Sequence, residues 1–205
     1  MSVNLLLILV TCLISIQSFN KPDFIYELSH YPYREYRDRQ YYRLITAAFV
    51  HADLFHLFVN MFVLYGFGEY IEEQFKFFYG SILGPLFYIL FYLFIAVAAN
   101  IPSYFRYRNN YHYRSIGASG ATSGIVFAYI LFEPTSMLGL FAIIPIPAIV
   151  FGILYLFYSS YAGRRGLDNI DHDAHFYGAI TGFVLMLILK PVLIQQFLFK
   201  ISNVF

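Results

Sequence analysis

Residues 117–124 read Gly-Ala-Ser-Gly-Ala-Thr-Ser-Gly, and they open an apolar run that continues to Phe132. Gly120 and Gly124 lie four positions apart, which places them on one face of a helix. Small residues at this spacing give a helix a flat stripe against which a second helix packs closely in a membrane. A second stripe with the same spacing lies near the C-terminus, at Ala174, Gly178 and Gly182. The two stripes predict a direct contact between these two helices.

The apolar character of this segment extends to the whole chain, which is 60% hydrophobic and only 12% charged. A soluble domain of similar length carries about 25% charged residues, so the composition indicates an integral membrane protein. We predict an all-α polytopic membrane protein, with one domain over residues 1–205 that contains six transmembrane helices. The predicted spans are residues 3–19, 54–71, 80–99, 117–132, 138–158 and 174–189.

The segments beside these spans are polar or interrupted. Pro145 and Pro147 remove backbone donors and should kink or break the start of the fifth span. Residues 3–19 could instead be a cleaved signal peptide, but they lack a basic leader and a small-x-small site near Ser18, which favours a retained helix. The amphipathic tail after Pro191 is predicted to lie along the membrane surface. Polar loops are predicted over residues 20–42, 102–114 and 162–173.

The charge and the cysteine content of the chain limit which functions and bonds it can have. The net charge of +1 gives no indication of nucleic-acid binding. Cys12 is the single cysteine, which excludes an internal disulfide. Residues 20–53, 100–116 and 161–173 together carry 10 of the 13 Lys and Arg residues. The positive-inside rule would place these alternate loops in the cytoplasm.

Polar residues within the predicted spans are candidates for function, because burying them in a membrane is costly. The fourth span supplies the hydroxyl of Ser119, and the sixth supplies the imidazole of His175. The second span supplies His56 and Asn60, which are four apart and share one helix face. A nucleophile, a base and donors to an oxyanion are the components of acyl transfer. The pattern therefore predicts a catalytic serine site without metal or other cofactor.

Each of these residues also has a structural interpretation. A serine in a Gly-rich helix start commonly serves packing, Asn60 could make an interhelical hydrogen bond, and His56 could be a hydrogen-bonded core histidine. A transporter is another alternative, but the sequence shows no paired inverted repeat. Zinc is a further alternative, although no HExxH motif or carboxylate-rich set accompanies the histidines. Its candidate ligands are His51, His56, His172 and His175.

Taken together, the order and spacing of these motifs resemble the rhomboid family of intramembrane serine proteases, in its compact six-helix bacterial form. Tyr42-Arg43 falls at the family's Trp-Arg pair in the first loop, and Glu72 matches a family glutamate that closes the second span. The resemblance covers about residues 40–185 and implies a rhomboid-like bundle. The matching motifs are His51-x4-His56-x3-Asn60, Gly117-x-Ser119-Gly120 and Ala174-His175-x2-Gly178.

The resemblance implies a catalytic dyad. Ser119 would attack the scissile carbonyl, and His175 would accept the serine proton. The oxyanion would be stabilised by His56, Asn60 and the backbone N–H of Ser119. Scaffold roles are implied for three further residues, His51, Arg43 and Glu72.

Two positions depart from the family pattern. Tyr42 replaces the family's Trp, which changes the packing of the first loop. Ser123, one turn after Ser119, occupies a position where some members place a Tyr against the catalytic imidazole. Asp171, four residues before His175, could orient the ring, although a solvated loop carboxylate is the favoured interpretation.

The resemblance also implies the partners and the location. The substrates would be single-span transmembrane proteins in the lipid bilayer, with no nucleic acid involved. The protein would be a multi-pass protein of the bacterial inner membrane, with its active site opening away from the cytoplasm, against the charge distribution. The alternative is a catalytically inactive relative that binds membrane proteins. Such relatives typically lack the serine or the histidine, and this chain has Ser119 and His175.

Overall fold

The computed structural model describes residues 2–140, 144–165 and 170–203 and is mostly helical. The helices are α1 Val3–Ser18, α2 Pro22–Leu28, α3 Pro32–Arg37, α4 Arg43–Thr46 with a 3-10 turn at Ala47–Phe49, α5 Leu54–Tyr107, α6 Ser119–Phe132, α7 Ala148–Arg165, α8 His172–Leu189 and α9 Leu193–Ser202. Two short strands, β1 Met137–Leu140 and β2 Ile144–Pro147, pair antiparallel.

The longest helix, α5, consists of two helices joined at a break. Gly80 has φ +80° and ψ 169°, a left-handed conformation that glycine adopts without a steric cost. The chain doubles back at this break. The rings of Phe75 and Phe91, which lie on either side of it in the sequence, pack together with centroids 5.3 Å apart. The break therefore separates the two helical segments that the sequence predicted over residues 54–71 and 80–99.

Both segments of α5 are longer than predicted. The second continues to Tyr107, so the predicted loop over residues 102–114 is helical in its first part. Polar side chains are accommodated in this extension by hydrogen bonds. Asn100 Nδ2 donates to the carbonyl of Leu44 at 3.1 Å, and Ser103 Oγ donates to the carbonyl of Asn100 at 3.0 Å.

The predicted fifth span over residues 138–158 is wrong in its first part. A β-hairpin occupies the start, with Met137 opposite Pro147, and the helix begins only at Ala148. Prolines at 145 and 147 in the sequence lack backbone N–H groups, which disfavours helix and accounts for the late start. The helix start is fixed instead by the Ala148 N–H, which donates to the carbonyl of Ser136 at 2.8 Å.

By length and apolar composition, two helices of the described part are able to cross a membrane, Leu54–Tyr107 and His172–Leu189. Helices α1 and α6 are apolar but shorter, with 16 and 14 residues. The helical architecture is thus established, while the count of six spans stays a prediction.

Helix α1 is attached to α5 through buried polar groups. The Glu72 carboxylate accepts hydrogen bonds from Ser2 Oγ at 2.5 Å and from the backbone N–H of Asn4 at 2.8 Å. Asn4 Oδ1 in turn accepts from Tyr88 Oη at 2.6 Å. The carboxylate lies at the N-terminus of α1, where a negative charge is favourable. Glu72 thus ties helices together, as the resemblance implied.

The loops at the end of the bundle where α6 begins form an ordered layer. The first loop, predicted as residues 20–42, contains α2 and α3 and pairs with a later loop through mutual backbone hydrogen bonds of 3.0 Å between His30 and Ser115. Arg43 is buried and donates from Nη1 to the carbonyl of Tyr26 at 2.6 Å. Arg43 therefore holds the first loop, in line with its implied scaffold role.

Helices α6 and α8 meet through their glycines. A Cβ atom added at Gly178 would collide with the carbonyl of Gly120, and one added at Gly182 would collide with the carbonyl of Gly124. The two backbones are therefore in direct contact, which confirms the contact predicted from the two small-residue stripes.

We expect Gly178→Ala to destabilise the protein, because the added methyl group would force the two backbones apart. Overpacking of this kind typically costs about 1–3 kcal/mol. Thermal unfolding in detergent measures the effect. Gly66→Ala is the matched control, since apart from its chain neighbours and its own helix backbone no atom of the described residues lies within 4 Å of its added Cβ. Equal melting temperatures for the two variants would contradict the close contact.

Candidate functional site

Ser119 is the first residue of α6, and the loop before it is fixed by backbone hydrogen bonds. Gly117 has φ +117°, a conformation that favours glycine, and its N–H donates to the carbonyl of Ala47 at 2.9 Å. The Ala118 N–H donates to His51 Nε2 at 3.2 Å. Ser119 itself is half-buried. The loop before α6 is therefore hydrogen-bonded to residues 47–51, the segment that precedes α5.

The hydrogen bonds of His51 determine which nitrogen carries the proton. Ser15 Oγ donates to the carbonyl of Phe49 at 2.9 Å, so it accepts from His51 Nδ1, also at 2.9 Å. Nε2 is then the acceptor for the Ala118 N–H. Burial, together with the nearby His56, lowers the pKa of His51 to about 3, so the ring is neutral at pH 7. His51 therefore positions the loop of the serine, consistent with a scaffold role.

His56 lies against the same loop. Its ring occupies the place beside Gly117, where an added Cβ atom would come within 2.7 Å of Nε2. Its backbone N–H donates to Asp53 Oδ1 at 2.8 Å, which caps the start of α5. The His51 and His56 rings meet edge to face with centroids 4.9 Å apart. His56 is thus adjacent to the turn that leads into Ser119.

Asn60 is buried between α5 and α6. Its Nδ2 donates to the carbonyl of His56 at 3.0 Å, and its Oδ1 lies 3.2 Å from Thr122 Oγ1, whose single proton is shared between Oδ1 and the carbonyl of Ser119, also at 3.2 Å. The two bonds fix the orientation of the amide. Nδ2 carries two hydrogens, and the bond to His56 uses one of them. Thr122, one turn after Ser119, is a contact that the sequence did not reveal.

His175 lies in the first turn of α8, and Asp171 holds that turn. Asp171 Oδ1 accepts from the N–H of Ala174 at 3.0 Å, and the His175 N–H donates to the carbonyl of Asp171 at 3.2 Å. Asp171 Oδ2 accepts from Tyr113 Oη at 2.5 Å. Burial and the nearby Asp171 raise the pKa of Tyr113, so the phenol keeps its proton. Asp171 is therefore a helix cap, whereas the sequence favoured a solvated loop carboxylate.

The starts of α6 and α8 are in contact beside Ser119 and His175. A Cβ atom added at Gly120 would lie 3.2 Å from the carbonyl oxygen of Ala174 and 3.6 Å from its Cβ. Gly120 follows Ser119, and Ala174 precedes His175. The proposed nucleophile and base thus flank one point of close helix contact at one end of the bundle.

A small cavity lies beside Ser119. Its volume is about 20 Å³, which is enough for one water molecule. Polar lining groups come from Asn100, Ser115 and Asp171. A larger cavity of about 370 Å³ shares Ser115 and Asp171 with it and reaches among the loops. A water molecule therefore has a polar site next to the serine.

Tyr155 of α7 is a site contact that the sequence did not predict. Its ring stacks on the imidazole of His175, with centroids 6.2 Å apart and planes inclined by 19°. Its hydroxyl lies 2.5 Å from Ser123 Oγ. An aromatic ring therefore does face His175, but it comes from α7 and not from position 123. The sequence contains 20 Tyr residues, and no local pattern distinguishes this one.

The zinc alternative receives no support from the placement of possible ligands. Over residues 2–140, 144–165 and 170–203, no group of three or more His, Cys, Asp or Glu side chains is arranged to hold a metal ion. The candidate histidines instead form two pairs, His51 with His56 and His172 with His175, whose ring centroids are 4.9 and 5.7 Å apart.

Comparison with known proteins gives concordant matches. Residues 38–192 match the family model described as the Rhomboid domain. RHOMBOID-like protein 12, mitochondrial, of Arabidopsis thaliana is 29% identical over 175 residues, which cover 82% of this chain and 51% of that protein. Rhomboid-like protein 11, chloroplastic, of the same plant is 32% identical over 159 residues, covering 73% of this chain and 53% of that protein. The chain spans about half the length of these curated relatives.

A shorter match involves a relative that is named as inactive. Inactive RHOMBOID-like protein 8 of Arabidopsis thaliana is 36% identical over 73 residues, covering 32% of this chain and 19% of that protein. The assignment to a bacterial inner membrane is not supported, since the two longer matches are to proteins named as mitochondrial and chloroplastic. The family match over residues 38–192 nevertheless includes the segments that carry Ser119 and His175, and the chain belongs to the rhomboid family of membrane-embedded helical proteins.

Proposed function

We propose that this protein is an intramembrane serine endopeptidase that cleaves transmembrane segments of membrane proteins with Ser119 and His175. The observation that carries the proposal is the close contact of α6 and α8, where Gly120 lies against Ala174 and the neighbouring residues in the chain are Ser119 and His175. Family membership supports the same conclusion. Ser119 and His175 are both half-buried, so part of each residue stays accessible.

The reaction begins with attack of Ser119 Oγ on the scissile carbonyl carbon, while the hydroxyl proton moves to His175. The carbonyl oxygen becomes an oxyanion. As the tetrahedral intermediate collapses, the C–N bond breaks and His175 returns the proton to the leaving nitrogen. Water then gives a proton to His175 and attacks the acyl ester, and Ser119 regains its proton as the acid product leaves. The cavity beside Ser119 provides a place for that water.

The oxyanion would be stabilised by two side chains of α5, together with the backbone N–H of Ser119 at the start of α6. His56 lies against Gly117, just before the serine, and Asn60 contacts the first turn of α6 through Thr122. Donors of this kind are effective because they are fixed in place before charge develops. The hydrogen bonds of Asn60 to Thr122 and His56 supply that rigidity.

We further propose six membrane spans. Helix α5 supplies two of them because it doubles back at Gly80, and α1, α6, α7 and α8 supply the others. Both Ser119 and His175 then open spans at the same face. We place that face away from the cytoplasm, following the family resemblance. The substrates are single-span membrane proteins.

A serine-directed fluorophosphonate probe tests the proposal. We expect the probe to label Ser119 in the purified protein, and we expect labelling to require His175, because the probe reacts with an activated serine. A chelator should not reduce labelling. Labelling that is absent in the wild type would instead favour a non-catalytic role in binding membrane proteins, for which the match to a relative named as inactive is the supporting observation.

For the substrate, we expect a cut near the membrane boundary, after a small side chain such as Ala. Ser119 begins its helix, so the reacting carbonyl must reach the end of the bundle. A substrate helix has its carbonyls in i to i−4 hydrogen bonds and must unwind first. Gly or Pro near the cut should therefore increase cleavage, since they lower helix stability by about 1 and about 3 kcal/mol.

Mass spectrometry of cleavage products from a matched substrate panel measures this preference. The panel varies the residue before the cut between Ala and Phe and varies helix-breaking residues next to it. Equal cleavage of Ala and Phe sites, or faster cleavage of an uninterrupted helix, would contradict the expectation.

A further inference from the structure

Tyr155 contacts one member of the proposed dyad directly and is linked to the other through Ser123. Its ring stacks on His175 with a centroid distance of 6.2 Å and an interplanar angle of 19°, which lies within the range of offset stacking. Its hydroxyl is 2.5 Å from Ser123 Oγ, and Ser123 Oγ is 2.7 Å from the carbonyl oxygen of Ser119. One side chain from α7 therefore links the imidazole on α8 with the first turn of α6.

The direction of the hydrogen bonds follows from the number of protons. A serine hydroxyl has one proton, and Ser123 donates it to the carbonyl of Ser119. The phenol of Tyr155 must then donate to Ser123 Oγ. The result is a directed chain from Tyr155 through Ser123 to the backbone of Ser119, in which each hydroxyl has a defined role.

The Tyr155 ring is itself held by aromatic neighbours. Phe151, one turn earlier on α7, stacks against it with centroids 5.8 Å apart and planes inclined by 25°. Phe127 of α6 approaches it with a centroid distance of 5.8 Å. Packing on two sides restricts the Tyr155 ring, and a restricted ring in turn limits rotation of the imidazole stacked on it.

We propose that Tyr155 is a positioning residue that fixes the His175 imidazole relative to Ser119, with Ser123 anchoring its hydroxyl. The proposal rests on the proposed protease function. Because the ring lies almost parallel to the imidazole, at an angle of 19°, we expect the ring to matter more than the hydroxyl. Its effect falls on the chemical step and not on substrate binding.

The test measures kcat and KM for a transmembrane substrate, together with thermal unfolding, in four single variants. Tyr155→Leu keeps apolar volume but removes the ring, and we expect kcat to fall about 3- to 10-fold with KM unchanged. Tyr155→Phe keeps the ring and should recover most of that loss. Ser123→Ala should lose at least as much activity as Tyr155→Phe, because it removes the same hydrogen bond and also the bond from Ser123 to the carbonyl of Ser119. Tyr161→Leu, an identical change on the exposed surface of α7, should match the wild type.

A double-mutant cycle tests whether Ser123 and Tyr155 act through their shared hydrogen bond. The combination of Ser123→Ala with Tyr155→Phe should lose no more activity than Ser123→Ala alone, since Ser123→Ala already removes the hydrogen bond that Tyr155→Phe removes. Unchanged kcat in Tyr155→Leu, or an equal loss in Tyr155→Phe and Tyr155→Leu, would overturn the role of the ring. A loss that appears in KM or follows a lowered melting temperature would show a structural role instead and would also overturn it.

Comparing the wild type with Ser119→Ala separates the proposed role of Tyr155 from the proposed protease function. Cleavage by the wild type that is lost in Ser119→Ala upholds the protease function whatever Tyr155 does. A wild-type protein that neither cleaves nor reacts with the probe overturns both proposals.

Discussion

Ser119→Ala and His175→Ala are each expected to lower cleavage of a transmembrane substrate by about 10⁴-fold or more, while the protein stays folded. A serine without its base is a poor nucleophile, and a base without the serine has no group to activate. The double variant should therefore be no worse than either single variant. Cleavage rates in detergent or liposomes, compared with the wild type, measure the effect.

We do not expect unfolding to contribute to the loss of cleavage in these variants. Both side chains are half-buried, and alanine favours helix at each helix start. Melting temperatures close to that of the wild type would verify this. Ser202→Ala, which alters an exposed serine on α9, serves as the matched control. Near-normal cleavage by Ser119→Ala would show that another group is the nucleophile, and Ser123 would be the next candidate.

The contact between α6 and α8 could be predicted from the sequence because its determinants are local. Two glycines of α6, Gly120 and Gly124, are four positions apart, and so are two glycines of α8, Gly178 and Gly182. That spacing alone places the two glycines of each helix on one face. In the structure, the backbone of Gly178 contacts that of Gly120, and the backbone of Gly182 contacts that of Gly124. Helix α1 was likewise predicted over residues 3–19 and is observed at Val3–Ser18, because an uninterrupted apolar run determines its length.

The β-hairpin before α7 was only partly predictable. Pro145 and Pro147 predicted an irregular helix start. A proline indicates that a helix is disfavoured, but it does not indicate which structure forms instead. The pairing of Met137 with Pro147 depends on residues ten positions apart. Hydropathy cannot reveal such a pairing, so residues 138–147 were included in the predicted span.

The side-chain environment of His175 was beyond prediction because its partners are distant in sequence. Tyr155 lies 20 positions before it, and Tyr113, which donates to the capping Asp171, lies 62 positions before it. Neither Tyr belongs to a local motif. A loop carboxylate with no visible partner in the sequence is reasonably interpreted as solvated, and only the packing of the loops shows that Asp171 is a helix cap.

Asn60→Ala is expected to lower kcat by roughly 10²-fold, with a much smaller effect on KM. The oxyanion exists only after attack, so a donor directed at it acts on the transition state and not on the bound substrate. The loss falls at the low end of the usual range because His56 and the Ser119 N–H would still donate. Steady-state kinetics with a transmembrane substrate separate the two constants.

Two matched variants distinguish an oxyanion donor from a packing residue. Asn60→Asp keeps the shape of the side chain but replaces its N–H donors with an acceptor, so it should lose at least as much kcat as Asn60→Ala. Thr122→Val removes the hydroxyl that donates to Asn60 Oδ1 at 3.2 Å, and it should cost far less because the amide donors remain. If Thr122→Val instead matches Asn60→Ala, or if Asn60→Ala raises KM and leaves kcat unchanged, then Asn60 holds α5 against α6 and does not stabilise the oxyanion.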